Sequence, residues 1–339
     1  MLPPPELRAK GLDAIADMVP MLDVDGSIQL VVLVKLRVQV DRFGRTRRTE
    51  GAEIHRADVP HDPDAPESSS IRFPCDLCLR KPGTDVIVVG HARPTKPGTT
   101  AMDVLVRVGP VQKALRVFGP RYWRRGVTGL TPSAPEPIEA VPLTWELAFG
   151  GFDSGDGKLL EEPRNPVGRG LKVDVEELVD QLTPQIEDPD DLLSTHRSRP
   201  RPAGVGALGR HWVPRRGFAG TYDEEWKTTH MPLPPIDFDD RFNQCATPEL
   251  IVPGHLRGGE PVQLLGVTAR GAAELELPRP VWFVGARVDG RLVEHPPVLD
   301  TIVIETDDLW IDMTWRSRIP LPRPARRLEY VQVHEKRAV

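Results

Sequence analysis

Residues 27–40 read SIQLVVLVKLRVQV, and apolar side chains recur there at every second position. The recurring residues are mostly β-branched: Leu30, Val32, Val34, Leu36, Val38 and Val40. A period of two places alternate side chains on one face of an extended chain, and β-branched residues favour that backbone. The stretch therefore predicts a long β-strand.

Similar segments lie toward both ends of the chain. On the N-terminal side, residues 85–92, 102–109 and 111–119 are strand-like, and Gly109-Pro110 predicts a turn between the last two. On the C-terminal side, two hairpins are predicted, one turning at Asp289-Gly290 and the other at Asp307-Asp308. Asp-Gly is a preferred pair for a two-residue hairpin turn. Both ends are therefore predicted to be rich in β-hairpins.

The composition excludes a helix bundle or a coiled coil. The 339 residues include 37 Pro and 29 Gly, together about 19% against a usual share of about 12%. Helix interiors tolerate neither residue well. Hydrophobic residues make up 39% of the chain and occur in runs, which predicts a folded protein with many loops.

Charge and hydropathy exclude further classes. With 44 Lys and Arg against 49 Asp and Glu, the net charge is −5, which favours neither nucleic acid nor an anionic membrane as a partner. The longest apolar stretch, residues 30–34, is far shorter than the roughly 20 residues of a membrane-spanning helix. MLPPPELRAK lacks the apolar core of a secretory signal, and three cysteines are too few for a disulfide framework. We therefore expect a cytoplasmic protein.

The middle of the chain differs from both ends because it is dense in Pro, Gly, Trp and Arg. We divide the chain into a β-rich half at residues 24–131, a loop-rich middle at 132–259 and C-terminal hairpins at 260–335, either as separate halves or as one continuous domain. One helix is predicted at residues 174–182, with Asp174 as its N-cap. The predicted fold is mainly β, with sandwich-like antiparallel sheets and one or two short helices.

Two segments of the middle carry opposite charge. Residues 174–191 contain eight acidic residues and no Lys or Arg, and residues 197–216 contain six Arg and no acidic residue. Such runs are typical of solvated faces that pair with each other, and a charged docking surface is the alternative.

Residues 204–209, GVGALG, match the GxGxxG pattern of dinucleotide-binding proteins. That mechanism needs a strand before the glycines and a helix after them, and the flanking RSRPRPA and RHWVPRRG predict neither. We therefore expect these glycines to form a loop with unusual backbone angles.

Cys75 and Cys78 form a CxxC pair, and His55 and His61 precede them, so that four possible zinc ligands lie within a short segment. The spacing fits none of the common zinc patterns, and the pair leads into a predicted strand rather than the helix of a redox site. We expect no metal and no cofactor, and a zinc-stabilised binding module stays as an alternative.

Motifs of hydrolases and nucleotide-binding enzymes are absent: the sequence has no Gly-x-Ser-x-Gly elbow, no HExxH helix and no Walker loop. The middle region does supply residues for a His and Asp site: His196, His211, His230, His255, Asp223, Asp237, Asp239 and Asp240. Histidine in a loop is more often a structural hydrogen-bonding residue than a base. We predict no enzymatic activity and keep a hydrolase as the alternative.

Aromatic residues and glycines punctuate four segments of the middle: WELAFGG at 145–151, NPVGRG at 165–170, GTYDEEW at 220–226 and DFDDRFNQCATPE at 237–249. Large aromatic side chains and Arg in loops anchor protein interfaces. A loop-rich domain also uses them to pack itself. The residues alone leave both roles open.

These motifs occur in one order with KPGTDVIVVGHA, with the segment 102–123 that ends in RVFGPRYW, and with LRGGE. From about Val24 to Arg318 the chain resembles the once-uncharacterised adaptor family encoded beside type VI secretion genes in bacteria. Seven ordered motifs are more specific than any single pattern above. The family usually lacks cysteine at the positions of Cys75 and Cys78, and its FNAAPPDQ-like stretch is altered here to FNQCATPE.

The resemblance implies a non-catalytic chaperone-adaptor. Such a protein binds an effector toxin, often one with a PAAR-like domain, and helps to load it on the valine-glycine repeat spike of the secretion tube. The expected partners are therefore an effector toxin or a PAAR-like protein and the spike protein, with no nucleic acid and no membrane. From the four motifs we select these candidate protein-binding residues: Trp145, Phe149, Gly150, Gly151, Asn165, Arg169, Tyr222, Trp226, Arg241, Phe242 and Asn243.

Overall fold

The computed structural model describes residues 6–9, 11–127, 129–321 and 328–336. Within these residues β-strands predominate, most strand pairs are antiparallel, and the one α-helix is Glu224–Thr229. The prediction of a mainly β protein is therefore confirmed. No helix in this part of the chain has the length and apolar composition needed to cross a bilayer.

Seven strands form the central sheet. In spatial order they are Ile251–Pro253, Gly83–Val89, Val298–Glu305, Trp310–Pro320, Ile28–Val40 and Ile15–Leu22, with Thr46–Thr49 also paired to Ile28–Val40. Neighbours are antiparallel except for Gly83–Val89 and Val298–Glu305, which are parallel. The strand-rich ends of the chain thus pair with each other in one sheet.

The described residues form two further sheets of four or more strands. The second sheet contains, in spatial order, Ile186–Glu187, Val111–Phe118, Ala101–Val108, Pro261–Leu265 and Ala272–Glu276. The terminal sheet contains Glu6–Arg8, Leu328–Glu335, Trp282–Val288 and Arg291–Glu294. Ile302 of the central sheet, Val106 of the second and Val284 of the terminal sheet are fully buried in one hydrophobic core. The three sheets therefore share their core.

The remaining strands form five short pairs: Trp123–Gly126 with Gly129–Pro132, Val141–Pro142 with His91–Ala92, Phe149–Gly150 with Arg169–Gly170, Phe152–Gly155 with Lys158–Glu161, and Val59–Pro60 with Ile71–Phe73. Short 3-10 helices complete the described structure: Pro66–Ser68, Trp145–Leu147, Val175–Leu178, Arg215–Phe218, Asp240–Asn243 and Pro248–Leu250. Most of these small elements lie in the predicted loop-rich middle.

The strand predicted from the opening stretch is confirmed as Ile28–Val40. Val32 and Val34 belong to the main core, whereas the intervening Val31 and Leu33 pack in a smaller cluster with Leu79. Both faces of the strand are therefore buried, which explains why apolar residues also fill several alternate positions. The three predicted hairpins are confirmed as well.

The helix predicted at residues 174–182 is wrong. Asp174 does act as an N-cap and accepts from the Glu176 backbone N–H at 2.9 Å, but only one 3-10 turn follows. Asp180 then takes a left-handed backbone with φ of 63°, and the chain turns to exchange backbone hydrogen bonds with Trp123. These backbone hydrogen bonds with Trp123 take the place of the further helical turns that were predicted.

The predicted pairing of the acidic and basic segments is confirmed at one residue. Arg201 lies 3.0 Å from a carboxylate oxygen of Asp188 and 3.8 Å from one of Asp191. All three side chains keep some exposure to solvent, so the pairs add little stability.

Candidate functional site

The predicted binding residues occupy two different environments. The first group, which lies in residues 145–151 and 165–170, is Trp145, Phe149, Gly150, Gly151, Asn165 and Arg169. The second group is Tyr222, Trp226, Arg241, Phe242 and Asn243. Trp145, Phe149 and Asn165 are at most 3% exposed, so a partner at the surface does not reach their side chains. We call residues 145–151 and 165–170 the braced motifs.

Asn165 holds the braced motifs together. Its Nδ2 donates to the carbonyl oxygens of Trp145 and Phe149 at 2.9 and 3.0 Å. A Cβ added to Gly150 would lie 2.2 Å from the Asn165 carbonyl oxygen, which no side chain tolerates. Gly150 is thus required by the close approach of the Asn165 backbone, while the Asn165 side chain bonds residues 145 and 149.

The GVGALG segment packs against the same motifs. A Cβ on Gly204 would lie 2.8 Å from the Trp145 ring, and one on Gly209 would lie 2.7 Å from the Trp212 ring. Both glycines have ordinary backbone angles rather than a positive φ. The expectation of unusual backbone angles is therefore wrong, and the physical requirement is the close approach of two indoles, which pack edge to face with centroids 5.8 Å apart.

A groove of about 980 Å³ runs beside the braced motifs, and Gly151 and Arg169 are among its lining residues. Its exposed apolar side chains include Phe152 and Leu182, which are 58% and 38% exposed. Arg169 Nε donates to the Glu146 carbonyl at 2.8 Å. Burial lowers the pKa of Arg169, and the negative charge of Glu146 opposes that shift. Of the first group, Arg169 is therefore the partly exposed residue of the groove, whereas Gly151 lines it from a buried position.

Residues 220–237 form a second feature, which we call the aromatic loop. Its ends meet where the Thr221 backbone N–H and hydroxyl donate to the two carboxylate oxygens of Asp237, at 2.9 and 2.8 Å. These hydrogen bonds lower the pKa of Asp237. Gly220 has a φ of 82°, and an added Cβ would lie 2.9 Å from Asp237 and Pro235. Closed loops that pack on their own side chains frequently carry function.

Trp226 organises the interior of the aromatic loop. Its backbone N–H donates to Asp223, the N-cap of the helix Glu224–Thr229, at 2.8 Å. Its indole N–H donates to the Leu233 carbonyl at 2.9 Å, and its ring packs edge to face on Tyr222 with centroids 4.7 Å apart. The loop thus has a defined shape although Trp226 is only partly buried.

Three large apolar side chains of the aromatic loop face solvent. Tyr222 is 54% exposed, Met231 is 64% exposed and Ile236 is 81% exposed. Met231 and Ile236 escaped the sequence analysis because they fall between two motifs. The signal that would have found them is the apolar composition of HMPLPPI, an otherwise loop-like segment. Exposed apolar side chains grouped on one ordered loop are typical of an interaction surface.

The short helix Asp240–Asn243 ties the aromatic loop to the body of the protein. Asn243 Nδ2 donates to the Arg80 carbonyl at 2.8 Å, and the Arg80 guanidinium pairs with Asp240 and, at 3.0 Å, with Asp23. Arg80 therefore connects the base of the loop to the turn that precedes Ile28–Val40.

Arg241 and Phe242 of this short helix differ in exposure, since Arg241 is exposed and Phe242 is half-buried. Arg241 is exposed, pairs with Asp239 at 2.6 Å and covers the Phe218 ring at 4.2 Å from its centroid. Phe242 packs edge to face on Phe238 with centroids 5.7 Å apart. All five residues of the second group thus lie in the aromatic loop or its base.

The four candidate zinc ligands are not brought together. His55 stacks on Phe73 with centroids 5.2 Å apart, and burial lowers the pKa of His61. Cys75 is partly buried, whereas Cys78 is buried and its burial raises the pKa of its thiol. In the described ranges, no three His, Cys, Asp or Glu side chains are grouped as a metal site.

Five residues of the alternative hydrolase site serve local structure, whereas His230 has a buried Nε2 with no hydrogen-bond partner among the described residues. His196 Nδ1 accepts a backbone N–H at 3.1 Å, and His211 Nε2 accepts the indole N–H of the next residue at 3.0 Å. His255 Nε2 lies 3.1 Å from a backbone carbonyl. Asp223 and Asp239 cap short helices. These five side chains are therefore already engaged with partners other than one another.

Sequence analysis also missed a buried ion cluster in the central sheet. Lys81 Nζ donates to Asp85 at 2.7 Å and to the Thr301 hydroxyl at 2.8 Å, and Arg316 Nε donates to Asp300 at 2.5 Å. The charged side chains of both pairs are at most 2% exposed. The sequence signal that could have found this cluster is the presence of charged residues within apolar strands. Charged side chains are rarely buried unless they are paired, so such residues predict buried ion pairs.

A family model described as "Uncharacterized protein conserved in bacteria (DUF2169)" matches residues 25–316, well over half of the chain. No curated protein and no solved structure matches the chain.

Proposed function

The chain belongs to this conserved bacterial family, and we propose that it is a non-catalytic adaptor that holds a type VI secretion effector and helps to load it on the spike. The partner is an effector toxin or a PAAR-like protein, as the ordered motifs imply by resemblance. The observation that carries the proposal is the aromatic loop, which presents exposed apolar side chains on a closed and internally bonded frame.

The exposed side chains suit recognition of a protein. Interfaces gain most of their affinity from a few large anchors, among which Tyr, Trp and Arg are enriched. Tyr222 and Ile236 have more than half of their surface available to a partner, and Arg241 lies exposed at the base of the loop. Because Trp226 already fixes the loop shape through the Leu233 carbonyl, less conformational entropy is lost on binding.

Polar residues surround these anchors. Asp223, Glu224 and Glu225 are exposed next to Tyr222, and a hydrated rim of this kind keeps an interface soluble and reversible. An adaptor has to release its cargo at the spike, so a small apolar centre with a charged rim fits the task better than a large apolar face.

The rival functions receive less support from the described residues. Three of the four histidines considered for a hydrolase, His196, His211 and His255, are bonded to backbone or indole groups. The candidate zinc ligands form no group of three among the described residues. The base of the aromatic loop is bonded to Arg80 through Asn243 and Asp240, and binding residues are commonly carried on loops that a scaffold positions in this way.

The test is recovery of the partner from the native host. The tagged protein is expressed there, and proteins retained after a moderate-salt wash are identified by mass spectrometry. We expect a toxin-like or PAAR-like protein, with or without the spike protein. The double variant Tyr222→Ala, Ile236→Ser should reduce its recovery about tenfold or more. Trp226→Ala and Arg241→Ala should weaken recovery and shift Tm by only a few degrees.

Phe43→Ala is the matched control, because Phe43 is 67% exposed and lies on a different turn. This variant should retain the partner at the level of the unmodified protein. Equal loss in Phe43→Ala, or recovery of no toxin-like or PAAR-like protein at ample expression, contradicts the proposal. Loss of folding in Trp226→Ala would assign that residue a bracing role only.

A further inference from the structure

A cavity of about 370 Å³ lies beside the central sheet, next to the base of the aromatic loop. Its lining is rich in basic groups: Arg80, Lys81, His255, His295, Arg316 and Arg318. Glu294 and Asp300 are the acidic lining residues. We call this the basic cavity. Its volume lies near the lower end of the range for small-ligand pockets.

Two buried cations form the inner wall of the basic cavity. Besides its bond to Asp300, Arg316 donates from both terminal nitrogens to backbone carbonyls, at 2.9 Å each. Lys81 is held by Asp85 and Thr301. Because these partners fix both side chains, their positive charges stay at the wall without further ordering when a ligand enters.

Both acidic groups of the cavity already have cationic partners. Asp300 is paired with Arg316 at 2.5 Å, and Glu294 is paired with Lys336 at 2.6 Å. Arg318 is exposed and has no ion pair with any residue that the structure describes. Arg80, Lys81 and Arg316 are each matched by a carboxylate partner, so the positive charge of the cavity that no described carboxylate pairs with is that of Arg318.

Hydrogen-bond donors remain available in the same place. Each terminal nitrogen of an arginine carries two hydrogens, and each terminal nitrogen of Arg316 makes one bond to a carbonyl. Arg80 uses Nε and Nη1 for its carboxylate partners, so that Nη2 is left for a ligand. Guanidinium groups bind carboxylate and phosphate oxygens with paired, charge-assisted hydrogen bonds.

We propose that the basic cavity is a binding site for a small oxyanion, namely a phosphate group or a carboxylate. Arg318 supplies the unpaired charge at the opening, and the fixed guanidiniums of Arg316 and Arg80 supply donors within. The proposal rests on this cavity alone and does not depend on the partner of the aromatic loop.

Isothermal titration calorimetry of the full chain with inorganic phosphate and, separately, with succinate tests the proposal. Chloride at matched ionic strength serves as the blank. We expect one saturable site for at least one of the two anions. Arg318→Gln should weaken binding about tenfold or more, whereas Arg318→Lys should recover part of the affinity.

The matched control is Arg42→Gln, which removes the same charge from an exposed turn far along the chain from the cavity. It should bind the anion like the unmodified protein. Saturable binding of phosphate alone, or of succinate alone, supports the site and shows whether it takes a phosphate group or a carboxylate. Absence of saturable binding to both, or equal weakening in Arg42→Gln, overturns the proposal. Since Arg318 is exposed, unchanged Tm in Arg318→Gln verifies that the variant is folded.

Discussion

Trp145 of the braced motifs and Trp226 of the aromatic loop stand in similar sequence contexts but in opposite environments. Trp145 is 3% exposed and belongs to the main core. Trp226 is only partly buried, and its neighbours Glu224 and Glu225 are exposed. An aromatic residue flanked by glycines and acidic residues thus serves as a core side chain in one region and as the frame of a surface loop in the other.

The difference comes from what lies opposite each indole. Trp145 is covered by Gly204 and Gly206 of a segment distant in the sequence, and by the edge of Trp212. Among the described residues, the indole of Trp226 has its ring contact and its hydrogen bond within its own loop, with Tyr222 and the Leu233 carbonyl. Long-range contacts therefore make one tryptophan part of the global fold, whereas local contacts make the other part of a separable surface feature.

The largest expected effect distinguishes these two tryptophans directly. Trp145→Ala should lower the free energy of unfolding by about 3–5 kcal/mol, because a fully buried aromatic ring leaves a cavity. Trp226→Ala should lower it by about 1 kcal/mol, because it loses one hydrogen bond and a partly exposed contact. Urea denaturation of both variants measures the two values.

Similar losses of unfolding free energy in the two variants would contradict the distinction between a core tryptophan and a surface-loop tryptophan. A loss of several kcal/mol for Trp226→Ala alone would place the aromatic loop within the cooperative unit of folding.

Much of the fold follows from local sequence signals. The period-two stretch gives the strand Ile28–Val40, and Asp289-Gly290 gives a hairpin in which both turn residues have positive φ. The parallel pairing of Gly83–Val89 with Val298–Glu305 has no local signal, because it joins strands more than 200 residues apart. The incorrect helix at 174–182 has the same origin, since the long-range contact with Trp123 overrides a local pattern.

The candidate site was predicted in part. Motif composition selected Tyr222 and Arg241, which are exposed, together with Trp145 and Asn165, which are buried. Sequence composition cannot distinguish the exposed residues from the buried ones, because burial depends on which residues, distant in the sequence, pack against each side chain. The basic cavity was not predicted at all, since its lining combines residues from separate strands and turns.

A smaller effect tests whether the glycines opposite Trp145 act by close approach. Gly204→Ala would place a Cβ 2.8 Å from the Trp145 ring, so we expect a loss of about 1–3 kcal/mol. Gly206→Ala is the control in the same segment, because its Cβ would lie 3.5 Å from that ring, an ordinary contact. Its free energy of unfolding should change by less than about 0.5 kcal/mol. Equal effects of the two substitutions would refute the role of close packing.

The smallest effect separates the two regions by their response to acid. The braced motifs are held by the neutral amide of Asn165, whereas the aromatic loop is closed by the ionised carboxylate of Asp237. Hydrogen bonds from Thr221 lower the pKa of Asp237 below its ordinary value of 3.8. Closure of the loop is therefore fully favoured above that ordinary value and is lost as the pH falls through the lower pKa of the folded protein.

The amide resonance of Thr221, followed by NMR from pH 6 downward, reports this titration. We expect a midpoint below 3.8, with no matching change at the Gly151 amide, which donates to the Asn165 carbonyl. In Asp237→Asn the Thr221 titration should disappear, because the amide that replaces the carboxylate has no proton to gain in this range. A midpoint at or above the ordinary value would mean that Thr221 does not hold the carboxylate. The loop would then be closed by its apolar contacts rather than by the carboxylate, and the contrast between the regions would be one of exposure alone.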